Sequence, residues 1–286
     1  MATVQQIIDV GDKLIAKSQR NLIHKTKGIE LAVYAALMQI FDNVEINNGV
    51  LASTPKAEEF LAALDYQVYQ ALKKSGYNDN VKEFTNSFNG VQDNIIDVHS
   101  KLGNGLIQAK DIADIKRIEV SKTVSNLTTQ GMYANFVSPV TQGLYRNIMF
   151  GATVADTKAF IKSQIISTEG TDSKLLRYVG QVATDSIHQF DGAANQAIKT
   201  KFKLNAIQYT GSLIEDSRAQ CMKWISMAII KDDELQAEID FALKKSYYSN
   251  KRCSGMIAET NPDTFCVCRG GYRCRHRAFG IRLVKK

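Results

Sequence analysis

Apolar residues in the first 200 positions recur at helical spacing. Residues 4–24 set Ile7, Ile8, Val10, Leu14, Ile15 and Leu22 on one broad face, and Ile29, Leu31, Ala32, Tyr34, Ala35, Leu37, Met38 and Phe41 continue it. Thr54-Pro55 reads as a helix start, with Thr as N-cap and Pro at the first helical position. The helix behind it carries Phe60, Leu61, Leu64, Val68, Tyr69 and Leu72 and stops near Gly76. Further helices are predicted over 80–101, ended by Leu102-Gly-Asn-Gly, and over 110–130. A break is predicted around Val137-Ser-Pro139-Val, then a helical stretch over 140–168 interrupted at Gly143 and Gly151. The longest helix is predicted over 172–200.

The pattern changes after Lys203. Asn205 to Gly211 reads as a strand, Ser217–Met227 and Asp232–Lys245 as short helices, with Ser217 and Asp232 or Asp233 as caps, and Gly280 to Val284 as a closing strand. The expected fold class is α+β, predominantly α. A long helical region (1–170) is followed by a small α+β domain (171–286) that ends in a β-hairpin. No internal repeat or low-complexity segment occurs.

The chain has 286 residues and a net charge of +7, and its charge is unevenly placed. From Lys251 to Lys286 there are nine basic and two acidic residues, so the rest of the chain is balanced. A local basic patch suits a polyanion such as DNA. Arg269, Arg273, Arg275, Arg277 and Arg282, with Tyr272 available to stack, are the candidate contacts for nucleic acid or for an acidic protein surface. Residues 1–10 lack the pattern of a signal peptide, and no run approaches the length of a membrane span. The chain is therefore expected to be soluble and made in a reducing cytoplasm, where clustered cysteines are more often ligands or free thiols than disulfides.

The cysteines concentrate the candidate chemistry. Cys253, Cys266, Cys268 and Cys274 lie near the end of the chain and Cys221 lies upstream. If 266–276 is a hairpin with a three-residue Gly-Gly-Tyr loop, Cys266, Cys268, Cys274 and His276 share one face and form a compact metal site. A two-residue loop puts the pairs on opposite faces. A second grouping joins Cys274 and His276 to Cys221, with Asp216 nearby. A structural zinc, a Cys221–Cys274 disulfide and plain packing of buried cysteine all remain open. His24, His99 and His188 stand singly on helical patterns and read as ordinary core or surface histidines, and Trp224 as a core anchor. No Walker A motif, nucleophile elbow, H-E-x-x-H or deaminase signature occurs. Enzymatic activity, as a metal-dependent or thiol enzyme, is not expected.

The order of a long helix with Ala183-Thr-Asp-Ser and Asn195-Gln-Ala, a strand, Asp216-Ser-Arg-Ala-Gln-Cys221 and Gly270-Gly-Tyr-Arg-Cys-Arg-His276 resembles the C-terminal domain of tailed-phage head morphogenesis proteins. These are the minor capsid proteins related to the F protein of phage Mu. The resemblance covers about 175–286. It sets Thr184 and Asp185 where the family has Thr-Glu, Asp216 and Arg218 at its Asp and Arg, Cys221 at its third position, and Cys274 and His276 at its final pair. Tyr209 stands where many relatives have Trp. It favours the grouping with Cys221 over the hairpin-only site. It implies a structural virion protein of the head or portal region, present in several copies in a symmetric assembly. Its partners would be the portal or major capsid protein and packaged DNA, with no membrane.

Overall fold

The first helix, α1 (Val4–Phe41), buries Ile8, Gly11, Ile15, Ser18, Leu22, Thr26, Glu30, Val33 and Leu37. Each lies three or four residues from the next, which keeps one stripe inward on a 3.6-residue period. In the computed structural model the described residues are 2–41, 46–47, 50–51, 55–215, 217–248, 255–271 and 274–284. Thr54, Asp216, Cys253, Tyr272 and Arg273, which the sequence singles out, lie outside them.

The chain forms two compact units that interleave along the sequence. One comprises Met1–Ala16, Ser87–Val120 and Thr184–Lys286, and the other Lys17–Asn86 and Ser121–Ala183. The expected boundary at 170/171 falls inside the second unit.

The second unit holds most of α1, a two-stranded antiparallel ribbon β1 (Ile46–Asn47) and β2 (Val50–Leu51), α2 (Pro55–Lys74) and α3 (Tyr77–Asn86). The predicted 80–101 helix is two helices, α3 and α4 (Phe88–Lys101). After a 3-10 turn (Ala109–Asp111), α5 (Ala113–Thr128) leads to a helical turn α6 (Gln130–Met132) and a π turn (Tyr133–Val137). The π turn runs directly into α7 (Ser138–Met149), so the chain does not break at Pro139. Pro139 follows the π turn by two residues, and that wider turn accommodates the proline, which has no N–H to donate, within the continuous helical run. Gly143 is likewise not an interruption. A side chain there would lie 2.1 Å from the Phe160 ring, so the glycine lets α7 approach α8 (Val154–Ile165). Glu30 is buried and accepts hydrogen bonds from Ser167 N, Ser167 Oγ and Ser173 Oγ at 2.8, 2.7 and 2.8 Å. These fix the segment before α9 (Lys174–Lys201) against α1. At 28 residues α9 is shorter than α1, which has 38 and is the longest helix. Two predicted helical stretches, 4–24 and 29–41, merge in α1 because Gly28 is tolerated within it.

The first unit is built on a three-stranded antiparallel sheet of order β4-β3-β5, made by β3 (Ala206–Thr210), β4 (Ile229–Lys231) and β5 (Arg277–Ile281). The helices α10 (Ala219–Met227), α11 (Asp232–Tyr248) and α12 (Phe265–Cys268) complete it. Strand alternation divides the core. Ile207 and Tyr209 of β3 and Ala278 of β5 pack with Trp224, Leu235, Ile239 and Phe265. Phe279, on the other face of β5, packs with Ile8 and Val98. A closing strand is present, but it runs over Arg277–Ile281 rather than the expected Gly280–Val284, and the terminal hairpin is not formed among the described residues. Phe265–Cys268 coils into a helical turn, and β5 pairs with β3. Phe265 and Cys266 are adjacent and both fully buried, which a strand with one covered face cannot provide.

Candidate metal centre

Cys221 enters from the first turn of α10, and Cys274 and His276 from the segment that leads into β5. All three are buried, and one ligand atom from each lies within 4.8 Å of the others. Cys274 Sγ stands 3.5 Å from His276 Nδ1. Tyr209 reaches the same point from β3, its Oη 3.6 Å from Cys221 Sγ and 3.5 Å from Cys274 Sγ. The Tyr209 ring also stacks on the imidazole, with centroids 5.5 Å apart.

Two glycines make room. At Gly270 a Cβ would fall 2.3 Å from Cys221 Sγ, 3.0 Å from Cys274 Sγ and 3.2 Å from Tyr209 Oη. At Gly211, where φ is +142°, it would fall 2.7 Å from the His276 ring. The Gly270 carbonyl is held from α10, accepting from Arg218 Nη1 at 2.8 Å and Gln220 Nε2 at 3.2 Å. Arg218 therefore braces the loop that roofs the cluster.

The hydrogen bond between the two sulfurs splits their acidity. It holds the Cys274 thiol well below the ordinary range, with His276 and Arg269 helping against the cost of burial. The same bond, with burial, pushes Cys221 up. Burial, and then the neighbouring sulfurs, push the Tyr209 phenol up. Two thiols and an imidazole that converge at a buried point suit a soft or borderline divalent ion, and the three could hold one.

The other candidate ligands stand elsewhere. Cys266 lies in the apolar core beside Trp224 and Phe265, where burial pushes its thiol up to about 12, and Cys268 is half-buried on α12. The single-face hairpin site is therefore overturned, because α12 is helical. Thr184 and Asp185 are half-buried on α9, N-terminal to His188 and Asp191.

The arginines of the tail divide in two. Arg275 and Arg282 are exposed, Arg282 also donating to the Phe202 carbonyl at 2.6 Å. Arg277 and Arg269 are not contact residues: both are buried around Asp191 of α9. Arg277 Nη2 and Nε reach Asp191 Oδ1 at 2.7 and 3.1 Å, and its Nη1 donates to Asn94 Oδ1 at 3.0 Å. Gly11 is required there, since a Cβ would lie 2.4 Å from Arg277 Nη1. Arg269, with φ at +44°, is clamped by its bond to the His188 carbonyl at 2.6 Å and its ion pair with Asp191 at 3.5 Å. His99 is a satisfied core histidine, placed between Asn195 Oδ1 and Asn104 Nδ2 at 2.8 Å each.

Sequence reasoning missed Tyr209, Gly270, Gln220 and Asp191 as parts of these sites. For Tyr209 a signal existed: it shares the buried face of β3 with Ile207, and a buried phenol needs a partner for its hydroxyl. Among the described residues no helix is long and apolar enough to cross a membrane. Comparison of the chain with known families, curated proteins and solved structures gives no match.

Proposed function

We propose that this chain is a structural minor head protein of a tailed bacteriophage, acting in capsid assembly at or near the portal vertex. One observation carries the reading. Cys221, Cys274 and His276, the residues picked out by the resemblance from two distant stretches of sequence, converge on one buried point. The ion held there is zinc, which two thiolates and an imidazole suit. Its role is structural: it ties α10 to the segment entering β5 beneath the Gly270 loop. Metal binding of this kind contributes directly to folding free energy. The helical part of the chain supplies contacts to portal or major capsid subunits. Arg275 and Arg282, exposed near the chain end, favour a second reading in which the same module also touches packaged DNA.

The test is the composition of particles. Purified DNA-filled heads from cells that produce this chain are analysed by quantitative mass spectrometry and by cross-linking. The expected result is a low, fixed copy number with cross-links to the portal ring or its neighbouring capsid subunits. A chain that remains in the unsedimented fraction, with no cross-link to a head protein, contradicts the reading.

A further inference from the structure

The cluster has a fourth donor. Tyr209 is buried, and the described partners of its hydroxyl are the two sulfurs of Cys221 and Cys274. A hydroxyl sealed from water ordinarily finds a nitrogen or oxygen partner, because sulfur is a weak acceptor and a thiol a weak donor. The phenol is nevertheless aimed at the point where the other three groups converge.

The distances match a tetrahedron. With metal–sulfur bonds of about 2.3 Å and metal–oxygen or metal–nitrogen bonds of about 2.0 Å, a tetrahedral ion sets each sulfur about 3.5 Å from an oxygen or nitrogen ligand. Of the four such separations here, two are 3.6 Å and 3.5 Å from Tyr209 Oη to the sulfurs and one is 3.5 Å from Cys274 Sγ to His276 Nδ1, while Cys221 and His276 place their ligand atoms within 4.8 Å of each other. Gly270 roofs the face formed by Tyr209 Oη and both sulfurs, which leaves no room there for a side chain from the loop. The aromatic stacking of Tyr209 on His276 fixes both rings before any ion arrives.

We propose that Tyr209 Oη is the fourth ligand of the metal centre, completing a closed Cys₂-His-Tyr set with Cys221, Cys274 and His276. The inference rests on the metal-binding reading above. A divalent ion entering the site is bound by Cys274 as the thiolate it already is, and the protons of Cys221 and of the phenol pass to solvent. The donor set then has two soft and two harder ligands, which accommodates cobalt as well as zinc.

Titration of the full chain with Co(II) alone, and with Zn(II) alone, tests this. In the wild type, either ion is expected to raise the near-ultraviolet difference band of tyrosinate, and Co(II) the intense visible bands of a four-coordinate site. Tyr209→Phe keeps the ring and its stacking. It is expected to lose the tyrosinate band, to change the Co(II) spectrum, and to bind zinc about tenfold or more weakly in competition with a chromophoric chelator. Uptake of the ion by wild type without a tyrosinate band, or by Tyr209→Phe with unchanged spectrum and affinity, overturns the role of Tyr209 and leaves the three-ligand site standing. Failure of the wild type to take up either ion overturns both. Should Tyr209→Phe not fold, the wild-type difference band decides alone.

Discussion

Arg277 Nη2 donates to Asp191 Oδ1 at 2.7 Å, with both residues fully buried. The bond joins the first residue of β5 to the middle of α9, across 86 positions of sequence. Removing one partner of such a pair leaves an uncompensated buried charge and costs about 3–5 kcal/mol. Asp191→Asn and Arg277→Met are each expected to lower the denaturant midpoint by that order. The double variant Asp191→Asn with Arg277→Met is expected to lose less than the sum of the two single losses, although the buried Arg269 remains without its carboxylate. Urea unfolding of the three variants measures it, and additive losses in the double variant would refute the coupling.

At Gly270 the expected effect is steric. Gly270→Ala drives a methyl group into both sulfurs, so it should abolish ion uptake and destabilise the chain by about 1–3 kcal/mol, as overpacking does. Metal content and thermal melting of the variant report the two effects separately.

His99 gives a pH signature. Burial lowers its pKa to about 4, and its neutral form is fixed by accepting at Nδ1 from Asn104 while Nε2 donates to Asn195. The unfolded chain, with an ordinary histidine pKa of about 6.5, therefore binds a proton that the folded chain refuses. Stability is expected to be unaffected by this group above about pH 6.5 and to fall by about 1.4 kcal/mol per pH unit between about 6.5 and 4. His99→Gln should flatten that slope; an unchanged slope would assign it to other groups.

Glu30 anchors the segment before α9 through Ser167 and Ser173. Glu30→Ala leaves these donors without their acceptor and is expected to cost about 2 kcal/mol. Proteolysis near Ser167 should then accelerate, which limited digestion followed by mass spectrometry detects.

Much of this fold was legible in the sequence, for reasons that also explain the failures. The stripe along α1 follows from periodicity alone, whereas the closing strand, buried at every position from Arg277 to Ile281, was displaced by three residues toward Gly280–Val284 in the alternation of the sequence. The helical turn at Phe265–Cys268 was not legible, because four residues in which Cys266 and Cys268 alternate with Phe265 and Val267 fit a strand as well as a helix. The basic tail misled for another reason. Arg269 and Arg277 stand in a run of exposed-looking charge, while the carboxylate that neutralises both lies far upstream at Asp191. Local charge counting cannot see such a partner. The meeting of Cys221 with Cys274 and His276 was one of two groupings the residues allowed and the one the resemblance favoured, whereas the place of Tyr209 required the alternation of β3 and the geometry of the cluster.

The central claim is that Cys221, Cys274 and His276 bind an ion. Elemental analysis of the chain purified without chelators, beside a Cys221→Ser/Cys274→Ser double variant, tests it most directly. The expected result is about one zinc per wild-type chain and little or none in the variant, with a lower melting temperature. A metal-free wild type that melts at the same temperature with and without added zinc, or a variant that retains the full metal content, would contradict it.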